Sequence, residues 1–341
     1  LAGRDPGASE SPVRLPTVST SQCKKFDFRN NGYLESQGFP LVETRFTDFH
    51  LRADGSLSRE AAGPDESGSA YLHGSKRQFY ADRVDRDYGG ELTASAGPDE
   101  LRFATAPFEQ PLVIAGPPTV TLWLSSLATD TELFVQLLDE APTGELTYLQ
   151  RGMLRASHRA IDPARSQSAA GHLYRPWRPH SNPEAIVPGA AVEYLIEIFP
   201  VGHVFRPGHR LVVKISAPPL DDNDWIYIPK TLPTINAVWH SAERPSRLTL
   251  PVIPLTAVRD LGPELAPCSL AKMRCVKPLQ KEPAGGGPGG LPGFPVALME
   301  QPAALLGQLP EELLNAAGVF TVPTPVIEGL YGALPAERPT P

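Results

Sequence analysis

The sequence predicts an all-β fold of two packed sheets, and three observations lead there. Four short apolar runs follow one another at 100–105, 112–116, 119–126 and 132–139, split by Ala-Pro, Gly-Pro-Pro and Ala-Thr-Asp-Thr. Runs of this length, rich in Val, Ile, Thr, Leu and aromatics and bounded by Pro, Gly and Asp, are strand signals. Connections this short leave no room for crossover helices, so the strands pair antiparallel. Further on, Leu211, Val213 and Ile215 alternate with Arg210, Val212 and Lys214, the period of a half-buried strand. About ten such strands in roughly 210 residues are too many for one flat open sheet.

Taken in order, residues 1–40 hold Pro, Ser, Gly and charge without periodicity and read as a tail or linker. Alternation begins at Leu41, and Asp54-Gly55 between the apolar Phe49-His50-Leu51 and Leu57 predicts a hairpin, because both turn residues tolerate positive φ. Residues 59–99, with Gly-Pro pairs and Gly89-Gly90, read as an irregular stretch anchored by Phe79, Tyr80 and Tyr88. After the four central runs, Pro142-Thr143-Gly144 makes a turn, and 146–150 and 152–159 read as two strands. A polar, Pro-rich connection at 161–188 leads to an alternating run at 191–199, a tight turn at Arg206-Pro207-Gly208-His209, and closing strands at 236–240 and 246–253. Beyond Pro254 the strand pattern stops. Ala284 to Gly290 is a linker by composition, and the Leu spacing of 302–317 predicts a short helix from about Pro310.

Composition bounds the function. The 341 residues suffice for one large β domain with flanking segments, and the 39 Pro and 29 Gly crowd toward the C-terminal end, a poor candidate for a second packed domain. A net charge of −7 argues against nonspecific binding to nucleic acid or anionic membranes, which needs a basic face. Cys23, Cys268 and Cys275 form no even framework, although the last two could pair locally. No run approaches the roughly twenty apolar residues of a membrane span, no basic-then-apolar leader opens at Leu1, and a chain starting without Met reads as a processed product or fragment.

Six ordered segments resemble the C-terminal domain of the X-Pro dipeptidyl-peptidase and cocaine-esterase-like hydrolases. They are Phe103-Ala104-Thr105-Ala106-Pro107, Ile114 to Pro118 with Ser125 to Thr131, Asp139 with Pro142-Thr143-Gly144, Gly152-x-Leu154-Arg155-Ala156-x-x-Arg159, Val204 to Leu211, and Trp239-His240 with Pro245 to Pro251. The resemblance spans about residues 41–254 and implies a jelly-roll β-sandwich of galactose-binding-like topology. In that family the sandwich is attached to an α/β-hydrolase domain whose Ser-His-Asp triad cleaves ester or amide bonds. A nucleophile elbow needs Gly-x-Ser-x-Gly at a strand-to-helix turn, and Gly55-Ser56, Gly68-Ser69 and Gly74-Ser75 all lack the second glycine. The expectation is therefore a non-catalytic module packing on a hydrolase domain that this sequence does not carry, with other protein subunits or a homo-oligomer as further partners and no cofactor. The alternative is a stand-alone carbohydrate-binding or structural sandwich.

Several residues remain as candidates. The loop at Gly89, Gly90 and Leu92 matches, by resemblance, the part of the family domain that faces the hydrolase pocket. Trp177 and Trp225 lie in loop sequence and could contact a ligand or partner, whereas Trp123 and Trp239 read as core. Asp130, between two threonines, reads as a turn-capping residue, and Gly208, His209 and Arg210 as part of a turn that fixes two strands. His203 and His209 are six apart but lack the further ligands a zinc site needs, and His158 and His240 are placed in strands. Asp221, Asp222 and Asp224 gather oxygens of the kind Ca²⁺ takes, although a solvated acidic loop has the same composition.

Overall fold

Apolar alternation along the central runs yields two sheets whose apolar faces meet, seen here in a computed structural model. The structure describes residues 38–74, 97–218, 233–258 and 289–310, with short pieces at 13–16, 18–19, 33–36, 221–222, 225–226 and 275–276 and single residues 261 and 313. The N-terminal strands are β1 (Val13–Pro16), β2 (Val18–Ser19), β3 (Tyr33–Ser36), β4 (Arg45–Leu51), β5 (Leu57–Ser58) and β6 (Ser69–His73). The central ones are β7 (Glu100–Ala104), β8 (Leu112–Gly116), β9 (Thr119–Ser126), β10 (Glu132–Glu140) and β11 (Leu146–Arg155). A small hairpin of β12 (Gln167–Ala169) and β13 (His172–Arg175) precedes β14 (Val192–Glu197), β15 (Val201–Phe205) and β16 (Arg210–Ser216). The short β17 (Asp221–Asp222) and β18 (Trp225–Ile226), then β19 (Thr234–Val238), β20 (Arg247–Ile253) and β21 (Cys275–Val276), complete the set.

One sheet has the order β21-β11-β10-β16-β7 and is antiparallel throughout. The larger runs β2-β15-β8-β20-β9-β19-β6, with β14 added to β9 and the β4–β5 hairpin to β20. Leu133, Val135 and Leu137 of β10, with Leu211, Val213 and Ile215 of β16, face Val120, Leu122 and Leu124 of β9 across a single core. Each such side chain contributes about 1.5–3 kcal/mol by leaving water. Strand β10 is buried on both faces, since Phe134, Gln136 and Leu138 on the far side are also covered, which explains its nearly continuous apolar run. On that far side Glu100 pairs with Lys214 at 2.7 Å and with Arg102 at 2.6 Å. Burial raises the pKa of Glu100, but the two cations more than offset this and hold it below the ordinary value.

The predicted all-β architecture is thus the observed one. The Asp54-Gly55 hairpin forms as expected, with Gly55 at φ +83° and Arg52 N–H donating to Ser56 O. Other expectations need correction. Residues 146–155 are one strand, not two, because Gly152 is no breaker: a side chain there would collide with the Glu197 carbonyl and the Ile198 side chain, where β11 bridges to the end of β14. An extra residue, Leu149, is bulged out of register opposite Leu137 and Leu138. His158 ends a 3₁₀ turn (Ala156–His158), and His240 follows β19, so neither lies in a strand. The stretch read as irregular at 59–99 contains β6, and the connection at 161–188 contains the β12–β13 hairpin, turned at Ala170 and Gly171, both with positive φ.

Flanking residues join the fold as well. Strand β2 pairs parallel with β15, and Leu34 is buried with Leu41, Val113 and Val204. From 289 onward the chain straps across the outer face of the larger sheet, where Val296, Met299 and Leu305 pack on Ala70, Leu72, Ile235 and Ala237. The strap holds a 3₁₀ turn (Val296–Glu300) and the short helix α1 (Pro302–Leu306), upstream of the helix expected at 310–317, most of which lies outside the described residues. No helix among the described residues is long and apolar enough to cross a membrane.

Glycine permits the strap to sit this close. At Gly189, φ is +83°, its N–H donates to Ser126 O at 2.7 Å, and a Cβ would overlap Met299 O. Gly171 has a similar φ of +77° but open space around it. Gly189→Ala should therefore lower the unfolding free energy by more than about 2 kcal/mol, against about 1 kcal/mol for Gly171→Ala, in paired urea denaturation curves. Equal losses would mean that the strap does not constrain Gly189.

Candidate functional site

Two arrangements of polar side chains stand out, one buried and one open. In the first, Asp139 near the end of β10 accepts from His203 Nε2 through Oδ2 and from His209 Nδ1 through Oδ1, both at 2.8 Å. A carboxylate can only accept, which places the protons on those two ring nitrogens. All three residues are buried. Burial raises the pKa of Asp139, but the two imidazole hydrogen bonds and their charge together bring it down to about 2. The turn that carries His209 works because Gly208 takes φ +83° and His209 N–H closes onto Arg206 O at 3.1 Å. Arg210 opens β16 and is half-buried. His203 and His209 are thus brought together, with a carboxylate as the centre on which they converge.

The open arrangement is a cleft of about 1050 Å³ where the second half of β11 faces the loop carrying the β12–β13 hairpin. Its apolar lining includes Leu133, Met153, Leu154, Phe199 and Trp177. Trp177 and Phe199 are 39% and 47% exposed, large values for such side chains and a mark of a contact surface. The loop is fixed by its own backbone: Asp162 N–H donates to Trp177 O at 2.8 Å, and Ser166 Oγ accepts from Trp177 N–H at 2.8 Å while donating to Asp162 O. Four arginines, Arg155, Arg165, Arg175 and Arg178, line the cleft against Glu132 and Glu197. Arg165 lies 3.9 Å over the Trp177 ring, and Arg178 donates to Leu195 O. Arg175 is 4.0 Å from Glu197, whose pKa burial pushes up despite the neighbouring Arg175 and Arg178.

Asp130 sits behind this cleft and organises it. Its carboxylate accepts from Arg155 Nε at 2.6 Å, from Ser157 Oγ at 2.8 Å and from Ser157 N–H at 2.9 Å, and it also caps Thr131 N–H at 3.0 Å. The capping role expected from Thr129-Asp130-Thr131 is present, but the same carboxylate also orients an arginine across 25 residues of chain.

Among the described residues one serine–histidine pair has the spacing of a nucleophile and its base. Ser69 Oγ lies 3.0 Å from His240 Nε2. Burial pushes His240 down to about 3, and no carboxylate among the described residues hydrogen-bonds its other ring nitrogen. So weak a base cannot take a serine proton near neutrality, and the pair joins β6 to the end of β19 instead.

Of the remaining candidates, Gly89, Gly90, Leu92 and Asp224 lie outside the described residues, as do Cys23 and Cys268. Asp221 and Asp222 form β17 and pair with Trp225 and Ile226 of β18, for which only the backbone is described. The cleft arginines were not singled out in the sequence. For Arg175 and Arg178 the signal is Arg175-Pro176-Trp177-Arg178-Pro179-His180, an apolar and basic run inside a chain of net negative charge.

The family model of the X-Pro dipeptidyl-peptidase C-terminal non-catalytic domain matches residues 13–249. A proposed serine esterase of Mycobacterium bovis is 32% identical over 74% of the chain, and the cocaine esterase of a Rhodococcus species is 25% identical over 63%. The chain spans 39% of the length of each. Among solved structures, a CocE/NonD family hydrolase from Staphylococcus aureus superposes with a TM-score of 0.54 at 18% identity, over 71% of this chain and 41% of that one. An aminopeptidase from a Thaumarchaeota archaeon gives 0.50 at 21%, over 66% and 39%.

The titrations of the buried groups set a pH dependence. His73 donates from Nε2 to Glu132 O, and burial pushes its pKa down from 6.5 to about 4. Unfolded His73 and His240 take up protons below pH ~6.5 that the folded protein refuses, so unfolding free energy should fall by a few kcal/mol between about pH 6.5 and pH 4. Asp139 runs from an ordinary 3.8 to about 2. Its contribution, of order 2 kcal/mol, is complete above pH ~4 and is lost as pH falls toward ~2. Asp139→Ala leaves two buried N–H groups without an acceptor and should cost about 3–5 kcal/mol at pH 7. Urea midpoints measured from pH 8 to pH 3 check both, and a flat profile or a silent Asp139→Ala would contradict them.

Proposed function

The chain belongs to the X-Pro dipeptidyl-peptidase C-terminal non-catalytic domain family, and we propose from that membership that it works by packing on an α/β-hydrolase domain. The hydrolase would supply the nucleophile, base and oxyanion hole, and the sandwich would shape its pocket or its assembly. The observation that carries this reading is the match over residues 13–249 to a non-catalytic domain, coupled to relatives in which the chain accounts for only 39% of the length. The depressed basicity of His240 supports it further, since the described serine–histidine pair is unsuited to acyl transfer. Ester or amide hydrolysis would be the activity of the whole assembly, in line with the esterase and aminopeptidase names of the similar proteins.

A fluorophosphonate probe should leave this chain unlabelled under conditions that label an active serine hydrolase to completion. A stoichiometric adduct would sink the non-catalytic reading. Mass spectrometry of the polypeptide recovered from its native source should find a Gly-x-Ser-x-Gly hydrolase domain joined to it or co-purifying with it. Recovery at full yield with neither would overturn the proposed partnership.

A further inference from the structure

We propose that the cleft beside Trp177 is a binding site for an amphipathic monocarboxylate, an organic acid with an aryl or alkyl chain. Three features of the site select that chemistry. Its volume of about 1050 Å³ is at the upper end of the range that small organic ligands occupy. Its apolar side, built from Leu133, Met153, Leu154 and Phe199, offers a surface for a chain or ring. The guanidinium groups around it outnumber the carboxylates, although the protein as a whole carries a net charge of −7.

The arginines differ in how far they are already satisfied. Arg155 is committed through Nε to Asp130, and Arg178 donates to the Leu195 carbonyl, so both are positioned from behind. Arg175 has a carboxylate only at 4.0 Å, the outer limit of an ion pair. Arg165 has no carboxylate partner among the described residues and instead lies flat on Trp177. A guanidinium stacked on an indole keeps its in-plane N–H donors free, and that planar fork matches the two oxygens of a carboxylate. The ring beneath it and Phe199, which also lines the cleft, take the apolar remainder of the ligand. With four guanidinium groups set against Glu132, Glu197 and the Asp130 that pairs with Arg155, one positive charge is left over, which suits one carboxylate better than a phosphate dianion.

Calorimetric titration of the full chain tests this with phenylacetate and decanoate as probes, phenylacetamide as the neutral isostere and phenyl phosphate as the competing anion. Saturable binding of at least one carboxylate is expected, with the amide about tenfold weaker or worse. Arg165→Gln combined with Arg175→Gln, two exposed positions, should weaken the carboxylate about tenfold while leaving the melting temperature unchanged. Trp177→Ala should weaken the carboxylate and the amide alike. Neither carboxylate binding below about 10 mM, an amide that binds as tightly as the acid, or phenyl phosphate binding tighter than both acids would each overturn the proposal. The measurement needs no hydrolase domain, so its failure leaves the proposed partnership standing, and the reverse holds too.

Discussion

The fold depends on one carboxylate shared by two imidazoles across the sandwich. Asp139 belongs to the five-stranded sheet, His203 to β15 in the larger one, and His209 to the turn through which the chain passes from one sheet to the other. The corner is bound further to the segment after β7: Leu211 N–H donates to Thr105 Oγ1, Phe108 N–H to His209 O, and Gly208 N–H to Phe108 O. The His203 ring also packs edge-on against Phe205 at 4.6 Å, so the polar cluster is continuous with the apolar core. A buried carboxylate is tolerable only when its lone pairs are occupied, and here each oxygen has an imidazole. The same requirement fixes the register of β15 and β10 and anchors the turn that leads into β16, because a shift of one residue in either strand would turn its member of the cluster to the opposite face.

At the other end the two sheets are joined by absence of bulk. Gly152 lets β11 touch the end of β14, Phe199 N–H donates to Arg151 O at 3.2 Å, and Gly189 admits the C-terminal strap. Past this seam Met153, Leu154 and Arg155 of β11 line the cleft, together with the loop that carries Trp177. The cleft is therefore a consequence of how the sandwich closes. Asp130 fixes its Arg155 wall, through bonds to both the arginine and the turn that follows β11.

Strands were legible in the sequence wherever alternation or a bounded apolar run was strong. Leu211, Val213 and Ile215 face the core as their period required, and Asp54-Gly55 makes the hairpin its φ preferences demand. The β12–β13 hairpin escaped notice because its strands, Gln167–Ala169 and His172–Arg175, are short and mostly polar, with an Ala-Gly turn that carries less signal than Asn-Gly. Strand β6 was hidden by the glycines around it, one of which, Gly68, is needed for contact with Val238 and Val296. The Asp139 cluster was half legible. Asp139 and His209 stood within the segments that identify the family and His203 just before one of them, yet nothing in one dimension says that residues 64 and 70 positions apart converge. The strap was missed because proline and glycine, which argue against a second domain, are compatible with an extended segment laid on an existing sheet.

Chemistry separates the two polar sites. General acid–base catalysis needs groups whose pKa lies near the working pH. In this sandwich the buried groups with strong shifts are driven away from it: His73 and His240 fall to about 4 and about 3, and Asp139 to about 2. Near neutrality the two histidines stay neutral and Asp139 stays ionised, which suits hydrogen bonds that never change. Guanidinium groups in the cleft are likewise constant in charge, but they differ from the buried set in facing open space with donors to spare. With His73, His240 and Asp139 held away from neutrality, and the cleft arginines unable to lose a proton, neither set of groups among the described residues has the titration that general acid–base catalysis needs.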